Sequence, residues 1–333
     1  MDERKTMFSA VQPSGIPTIG NYVGAIKNWV GFQDEFNCIF AIADLHTLTV
    51  KQTPSELRAR SLELLALYIA CGLDPEKCTL FVQSHVHEHA ELTWILNTIT
   101  YPGELTRMTQ FKDKSARHAE NVNMGLMDYP VLMASDILLY NAHYVPVGID
   151  QKQHLEITRD LAIRFNNRYS PTFVVPEPYI PKVGAKVMSL SDPSRKMSKS
   201  DDNENGFISM NDDTDAIIRK FKRAVTDSDS VVKYDEENKP GVSNLLTIYS
   251  LFTGETVEQA ERRFEGQLYG TFKTAVGEAV ASVLKPINDK KNDLLKNKDY
   301  LYEILASGRE KASRIAFKTL KKVYKKVGLI LPE

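Results

Sequence analysis

Short apolar runs alternate with longer amphipathic segments in the N-terminal half of the chain. Residues 38–50, CIFAIADLHTLTV, have the pattern of a buried strand and its loop, and residues 55–73 have that of a helix closed by Gly72. A second strand, CTLFVQSHV, comes next, and a helix follows from about residue 88 to 100. This order predicts an α/β fold with a parallel sheet, whose ligands bind beyond the carboxyl ends of the strands.

A different pattern begins after residue 180. Residues 180–206 are dense in Pro, Gly, Ser, Asp and Asn, a composition that predicts an exposed, mobile loop. From about residue 214 to 327 the apolar positions have helical spacing with little β-branched alternation, which predicts a smaller α-helical domain. Asn211, Asp212 and Asp213 are candidate caps for its first helix.

The composition is that of a globular enzyme, with 333 residues of which 42% are hydrophobic and 26% charged. The N-terminus has no secretory signal pattern, and no apolar run approaches the ~20 residues of a membrane span. We therefore expect a cytoplasmic protein with no membrane partner. The three cysteines include no Cys-x-x-Cys pair, which argues against a disulfide framework or a thiolate metal site.

The net charge of -1 does not indicate a nucleic-acid partner, but the distribution of charge is uneven. Residues 309–326 carry eight Lys or Arg residues and a single acid, Glu310, in a helical pattern. This surface is either a solvated helix face or a face that contacts RNA phosphates, and the pattern alone does not decide between them. Residues 217–223 form a second basic run with the same two interpretations.

The first candidate functional stretch is FSAVQPSGIPTIGN, residues 8–21. It has the pattern of a strand, a loop rich in Pro and Gly, and a helical segment that begins near Ile19. The small residues Ser14, Gly15, Thr18 and Gly20 would let a phosphate or an adenine approach the backbone at a helix N-terminus. A surface turn without function fits the same stretch.

The second stretch is KMSKS, residues 196–200, within the polar segment. Two lysines three positions apart, with two hydroxyl groups beside them, can surround a polyphosphate and neutralise the charge that grows on a leaving pyrophosphate. A solvated loop is the alternative interpretation.

Together these stretches resemble the two signature sequences of class I aminoacyl-tRNA synthetases. KMSKS matches letter for letter, and TIGN resembles the HIGH signature in the form found in tryptophanyl members, with Thr18 and Asn21 in place of the histidines. Three further stretches, starting at residues 103, 126 and 224, resemble bacterial tryptophanyl-tRNA synthetases, so the likeness spans nearly the whole chain. It implies a Rossmann-type catalytic domain over 1–206, with a dimer-forming insertion at about 80–150. It also implies a helical tRNA anticodon-binding domain over 207–333, whose last helix packs back on the catalytic domain.

The activity implied by this resemblance is that of a tryptophan–tRNA ligase. Such an enzyme activates L-tryptophan with ATP and Mg²⁺, releases pyrophosphate, and transfers the tryptophanyl group to the 3′ end of tRNA(Trp). A cytoplasmic homodimer is implied as well, and no protein side chain is assigned to a metal. The rivals are a tyrosyl-tRNA synthetase, a nucleotidylyltransferase of the same superfamily and a nonenzymatic RNA-binding relative. KMSKS and the long helical region argue against a nucleotidylyltransferase. The intact Lys196 and Lys199 argue against a nonenzymatic RNA-binding relative.

Asp136 is the candidate for amino-acid selection, because an indole offers a single N–H donor on a flat apolar body. It lies in the apolar helical stretch YPVLMASDILLY, where an acid without a partner would be unfavourable. Satisfaction by local backbone or a cap is the alternative. Tyrosine would place its hydroxyl badly in such a site. By the resemblance, the tryptophan site comprises Asp136 with Phe8, Met133, Val145 and Val147 as apolar walls and Gln12, Tyr129 and Gln151 as polar partners. His46 lies at the end of a predicted strand, where it either lines the adenine or tryptophan pocket or has a structural role.

The nucleotide site is assigned by the same resemblance. Gly148 follows the strand YVPV and begins a Gly-x-Asp ribose site, in which Ile149 departs from the acidic residue of near relatives. The residues assigned to ATP are Gln12, Pro13, Ser14, Gly20, Asn21, Lys114, Gly148, Ile149, Asp150, Val187, Lys196, Met197, Ser198, Lys199 and Ser200. Those assigned to catalysis are Thr18, Asn21, Lys196, Ser198 and Lys199. No general base is needed, because the tryptophan carboxylate is ionised at neutral pH.

The histidines at positions 85, 87 and 89 alternate along the chain and raise the possibility of a metal site. They fall at a turn between strand and helix, where capping or solvent exposure is the more ordinary interpretation.

Overall fold

A computed structural model describes residues 4–117, 122–148, 151–180, 186–199 and 201–331. Within these residues one five-stranded sheet has the strand order β3-β2-β1-β4-β5, and every neighbouring pair is parallel. The strands are β1 (Thr6–Val11), β2 (Asn37–Ile42), β3 (Thr79–Val82), β4 (Tyr144–Pro146) and β5 (Glu177–Tyr179). The predicted parallel α/β fold is confirmed. Because the chain order reverses between β1 and β4, a crevice opens beyond their carboxyl ends.

Helices connect the strands and form the C-terminal region. Those of the first half are α1 (Ile19–Asn21), α2 (Lys27–Glu35), α3 (Asp44–Thr47), α4 (Pro54–Ala70), α5 (Glu88–Asn97), α6 (Pro102–Thr106), α7 (Thr109–Arg117), α8 (Met124–Leu138) and α9 (Lys152–Arg168). The later ones are α10 (Thr214–Arg223), α11 (Pro240–Thr253), α12 (Val257–Arg263), α13 (Tyr269–Lys296) and α14 (Lys298–Val327). Asp213 is the N-cap of α10, where its carboxylate accepts the backbone N–H of Ala216, so one of the three predicted caps is confirmed.

The sheet is buried on both faces, and alternate strand residues supply the two cores. On one face Met7 and Phe40 pack with α2, α4 and the C-terminal helices, and Trp29 stacks on Phe40 with ring centroids 4.6 Å apart. On the other face Phe8 stacks on Tyr140 at 5.5 Å, with α5, α8 and α9 around them. This two-residue alternation is the geometry of a strand, and burial on both sides explains the nearly continuous apolar runs in the sequence.

Helix α14 packs against edge strand β3 and α5. Gly308 permits the contact, because a Cβ there would lie 1.8 Å from the Leu80 carbonyl oxygen. Farther along, the Tyr324 hydroxyl donates to Glu91 Oε2 at 2.7 Å. The buried side of α14 thus covers the exposed edge of the sheet, which protects it from pairing with another chain. The basic residues of 309–326 lie on the same helix, mostly on its solvent side.

The described part of 180–206 is largely irregular, as predicted, but much of it is not exposed. Val187, Leu190 and Met197 are buried and belong to the core. The backbone around them pairs in antiparallel fashion, with Ser189 N–H donating to the Arg195 carbonyl at 2.8 Å and Met197 N–H to that of Val187 at 3.0 Å. Three apolar side chains fix this segment on the protein although its overall composition is polar.

Within the described residues, no helix is both long and apolar enough to cross a bilayer. The three cysteines are free thiols, and burial raises the pKa of Cys38, Cys71 and Cys78 to about 12. They are therefore protonated and weakly nucleophilic at neutral pH.

Candidate functional site

A pocket of about 210 Å³ lies at the carboxyl ends of β1 and β4 and is closed on one side by α8. Phe8 and residues 145–147 contribute its strand side, and His46 enters from α3 after β2. All nine residues assigned from sequence to tryptophan line this pocket, namely Phe8, Gln12, His46, Tyr129, Met133, Asp136, Val145, Val147 and Gln151. The structure brings them together from five separate parts of the chain, while their binding roles stay predictions.

Asp136 is the buried charge of the pocket, with 2% of its surface exposed. Its Oδ2 lies 2.7 Å from His46 Nε2, and its Oδ1 lies 2.7 Å from Gln83 Nε2 and 2.6 Å from His89 Nδ1. Side chains from three other elements therefore satisfy the carboxylate. The alternative of a local backbone or cap partner is wrong.

The charge state of Asp136 follows from these contacts. Burial alone would raise its pKa, but the charge and hydrogen bonds of His46 and His89 outweigh burial and lower the pKa to about 2. The group is thus an ionised carboxylate at neutral pH, which can only accept hydrogen bonds. A ligand that meets it must bring a donor.

A second pair of polar side chains, from α8 and α9, also lines the pocket. The Tyr129 hydroxyl lies 2.7 Å from His154 Nε2, and both side chains are buried. Burial raises the pKa of Tyr129 to about 12, so its phenol keeps its proton. His154 lines the pocket and was missed by the sequence analysis. Its only signal is its position in α9, one turn after Gln151.

The two signature stretches meet beside this pocket. Lys199 Nζ donates to Ser14 Oγ at 2.8 Å, across 185 residues of sequence. Gly15 lies under this contact with φ +139°, and a Cβ there would be 3.5 Å from the Lys199 side chain. Partial burial of the ammonium group, with the charge of Arg60, lowers the pKa of Lys199. The Lys199 ammonium group therefore lies at the loop after β1 and joins the two signature stretches.

The TIGN stretch forms the first helical turn after that loop. Thr18 N–H donates to Asn21 Oδ1 at 2.9 Å, and Asn21 N–H donates to Thr18 Oγ1 at 3.4 Å. These reciprocal bonds are a capping box, so part of each side chain serves the backbone. Gly20 packs on the second signature, because a Cβ there would lie 3.6 Å from Val187 and 4.0 Å from Met197.

The remaining assigned residues divide into three groups. Lys196 is exposed, Ser198 is partly buried, and Pro13 is buried in the loop after β1. Gly148 follows β4, and its carbonyl accepts from Gln151 N–H at 3.0 Å. The side chain of Lys114 and the residues Ile149, Asp150 and Ser200 lie outside the described residues.

The three alternating histidines do not share a face. His85 and His87 are exposed, whereas His89 is completely buried and bonded to Asp136. This separation speaks against a common metal site for the three. Gln83 and His89 are functional candidates that the sequence analysis did not select.

Comparison with known proteins agrees with this geometry. The family model "tRNA synthetases class I (W and Y)" matches residues 1–285. A tryptophan–tRNA ligase of Clostridium tetani is 56% identical over 330 residues, covering 99% of this chain and 97% of the relative. The tryptophanyl-tRNA synthetase of Mycoplasma pneumoniae superposes with a TM-score of 0.90, at 35% identity over 98% of each chain. That of Campylobacter jejuni, in complex with ADP and tryptophan, gives 0.84 at 37% identity, covering 97% of this chain and 100% of that one.

These matches extend over both signature stretches and the pocket between them. They do not favour the tyrosyl or nucleotidylyltransferase alternatives, because the relative at 56% identity is a tryptophan–tRNA ligase along almost its full length. The chain belongs to the class I tRNA synthetases of the tryptophan and tyrosine group, and within that group to the bacterial tryptophan–tRNA ligases.

Proposed function

We propose that the chain activates L-tryptophan with ATP in the pocket between β1, β4 and α8, and then transfers the tryptophanyl group to the 3′ end of tRNA(Trp). One observation carries the proposal, namely a buried, ionised Asp136 in a pocket with both apolar and polar lining residues, beside the Lys199–Ser14 contact. A related enzyme of Campylobacter jejuni is known in complex with ADP and tryptophan. The cytoplasm, where ATP and tRNA are available, is the proposed compartment.

Amino-acid selection is assigned to Asp136. Its carboxylate would accept the indole N–H, and the walls formed by Phe8, Met133 and Val145 would contact the ring. A buried acceptor that loses its donor is left unsatisfied, so analogues without the N–H are rejected strongly. Gln12, Tyr129 and Gln151 are proposed for the ammonium and carboxylate groups of the substrate.

The chemical step needs alignment and charge stabilisation. A carboxylate oxygen of tryptophan attacks the α-phosphorus of ATP while the bond to the β-phosphate oxygen breaks, and pyrophosphate leaves with the bonding electrons. Lys199 and Lys196 would neutralise the charge that grows on this leaving group. The N–H groups of Thr18, Ile19 and Asn21 at the start of α1 already donate to protein acceptors, so the charge of the phosphates is left to the two lysines.

Mg²⁺ is proposed as an ion held mainly by the nucleotide. The described contact between the two signature stretches joins an ammonium and a hydroxyl group, which suits phosphate oxygens. Mg²⁺ is commonly bound through substrate phosphates, so this donor set fits it without a protein cage. When bound, the ion would add charge neutralisation at the β- and γ-phosphates.

Amino-acid-dependent exchange of labelled pyrophosphate into ATP tests this function. Tryptophan should support exchange and tyrosine should not. Exchange with tyrosine alone would refute the substrate assignment, and exchange with neither amino acid would refute the activity.

A homodimer is proposed from an exposed apolar region within residues 80–150. Trp94 on α5 is 74% exposed, Tyr101 before α6 is 59% exposed and Met124 at the start of α8 is 73% exposed. A bond from Asn97 to Asp128, 2.9 Å long, joins α5 to α8, so these side chains project from linked elements. Apolar exposure of this size is typical of a contact surface with another protein.

Trp94→Glu is expected to shift the protein from dimer to monomer, because it places a charge in the apolar contact. Light scattering combined with size-exclusion chromatography measures the mass. Tyr302→Glu on α14 is the control, since Tyr302 is 55% exposed but lies on another element. A wild-type monomer, or a Trp94→Glu dimer, would contradict this interface.

The helical region 207–333 is proposed to bind tRNA, with the solvent side of α14 contacting phosphates. Lys318, Lys321 and Lys325 are exposed on this helix. Reversing all three to Glu is expected to lower aminoacylation at limiting tRNA by about 10-fold or more, because each phosphate contact adds to affinity. Pyrophosphate exchange should stay unchanged.

A matched reversal separates this face from a general charge effect. The control changes three exposed lysines of α13, namely Lys285, Lys290 and Lys296. Equal losses in the two triple variants, or no loss in the α14 variant, would show that the α14 face does not contact tRNA.

A further inference from the structure

A completely buried polar network lies behind Asp136, outside the lining of the pocket. Gln83 comes from the turn after β3 and His89 from the first turn of α5, and each is 0% exposed. Both donate to Asp136 Oδ1, and His89 Nε2 lies 2.8 Å from the Tyr140 hydroxyl. Neither residue lines the pocket, so the proposed roles of the pocket residues do not account for the network.

We propose that His89, assisted by Gln83 and Tyr140, is a positioning residue for substrate selection. It holds Oδ1 of Asp136 away from the ligand, so that Oδ2 becomes the oxygen that receives the indole N–H. The inference rests on the proposed function, because it concerns how the same pocket recognises tryptophan.

The direction of each hydrogen bond follows from the charge on Asp136. A carboxylate only accepts, so His89 donates through Nδ1–H and Gln83 through its amide N–H. The other ring nitrogen, Nε2, pairs with the O–H group of Tyr140 at 2.8 Å. Burial, followed by the charges of Asp136 and Glu88, raises the pKa of Tyr140 well above its ordinary value, which keeps that proton in place.

Each donor is itself oriented by a further bond. The Gln83 side-chain oxygen accepts the backbone N–H of Leu45 at 3.1 Å, which fixes the direction of its amide. The His89 ring is held at its other nitrogen, because Nε2 lies 2.8 Å from the Tyr140 hydroxyl. Neither donor to Oδ1 can therefore turn without breaking a second contact.

Counting acceptor sites shows what the network achieves. A carboxylate oxygen accepts about two hydrogen bonds, so Gln83 and His89 fill Oδ1. His46, which lines the pocket, takes one position on Oδ2 at 2.7 Å. One acceptor position then faces the ligand, which matches the single N–H of an indole.

The test compares tryptophan with 3-benzothienylalanine, in which sulfur replaces the indole N–H. His89→Leu removes one of the two donors to Oδ1, and we expect kcat/KM for tryptophan in pyrophosphate exchange to fall by about 10-fold or more. The loss should lie in KM for tryptophan, with KM for ATP unchanged. The benzothienyl substrate should be nearly unaffected, because it makes no bond to Oδ2.

Two variants complete the series. His89→Asn returns an N–H donor near the position of Nδ1 and should recover most of the preference for tryptophan. His87→Leu is the matched control, because the His87 side chain is 76% exposed on the same turn, and it should behave as the wild type.

The outcomes separate positioning from mere structure. If His89→Leu lowers kcat/KM equally for tryptophan and 3-benzothienylalanine, or raises KM for ATP, the residue only supports the fold and the inference is wrong. If His89→Leu does not fold, Tyr140→Phe carries the same comparison, with an expected loss of about 3-fold confined to tryptophan. Absence of tryptophan-dependent exchange in the wild type would refute the proposed function and this inference together. Tryptophan-dependent exchange in the wild type, with no change in the His89 and Tyr140 variants, would refute this inference but not the proposed function.

Discussion

Asp136→Ala is expected to reduce kcat/KM for tryptophan in pyrophosphate exchange by about 100-fold or more. A hydrogen bond to a charged group contributes about 1.5–3 kcal/mol, which is about 10- to 150-fold in rate. The substitution also leaves three buried donors, on His46, Gln83 and His89, without their acceptor. The variant should therefore lose the hydrogen bond to the indole N–H, and the three side chains that donate to Asp136 should lose their fixed positions.

The control is Asp128→Asn, which changes an acid on the same helix two turns earlier. Asp128 Oδ2 accepts from Asn97 at 2.9 Å and lies outside the pocket lining. It should retain exchange within about 2-fold, because Asn keeps a side-chain oxygen that can accept the N–H of Asn97. Exchange rates with tryptophan and tyrosine, measured in parallel for both variants, give the comparison. Unchanged tryptophan kinetics in Asp136→Ala would remove Asp136 from recognition.

Acid stability gives a second signature of Asp136. Its folded-state pKa, about 2, is below the ordinary value of 3.8, so the ionised form stabilises the fold at any pH above about 4. That contribution is lost as the pH falls from about 4 towards 2. Above pH 4 the pKa of Asp136 therefore predicts no pH dependence of tryptophan binding.

Much of the fold could be predicted from periodicity, because long apolar faces must be buried. The strands around residues 38–42 and 79–82, and the helices from 54 to 70 and from 214 onwards, are marked by such faces. Strand β5 was missed, since Glu177–Tyr179 is three residues long, contains a proline and has no alternation. The partial burial of the segment at 186–206 was not predicted, because three buried apolar side chains are diluted by polar neighbours.

The residues that line the pocket could be predicted from the sequence, but the residues that hold Asp136 in place could not. Asp136 could be selected because a lone acid stands out in an apolar helix. Gln83 and His89 are 53 and 47 residues away in sequence, and only the packing of α5 and β3 against α8 brings them to it. His89 was further concealed by His85 and His87, which have the same chemistry but face solvent. Local pattern does not distinguish a buried histidine from an exposed one two positions earlier.

Lys199→Ala is the second substitution with a large expected effect, and it should lower kcat for tryptophan-dependent exchange by about 100-fold or more. Removal of one preorganised group that stabilises developing charge commonly lowers kcat by about 10²–10³-fold. Lys199 is held at the loop after β1 by its 2.8 Å bond to Ser14, next to the proposed phosphate site. Lys233→Ala, an exposed lysine between α10 and α11, is the control and should leave kcat unchanged.

The pH profile distinguishes a charge effect from a loss of structure. Partial burial and the charge of Arg60 lower the pKa of Lys199 below the ordinary 10.5, so the free enzyme loses this ammonium as the pH rises through the lowered value. We expect kcat/KM for ATP to fall on the alkaline side earlier than an ordinary lysine would require. Bound triphosphate favours the charged form of Lys199, so the alkaline decrease in kcat should occur at a higher pH than the decrease in kcat/KM for ATP. Lys199→Arg, whose guanidinium stays charged, should remove the limb while keeping part of the activity. An identical alkaline limb in Lys199→Arg would assign it to another group and leave Lys199 without a role as the titrating cation.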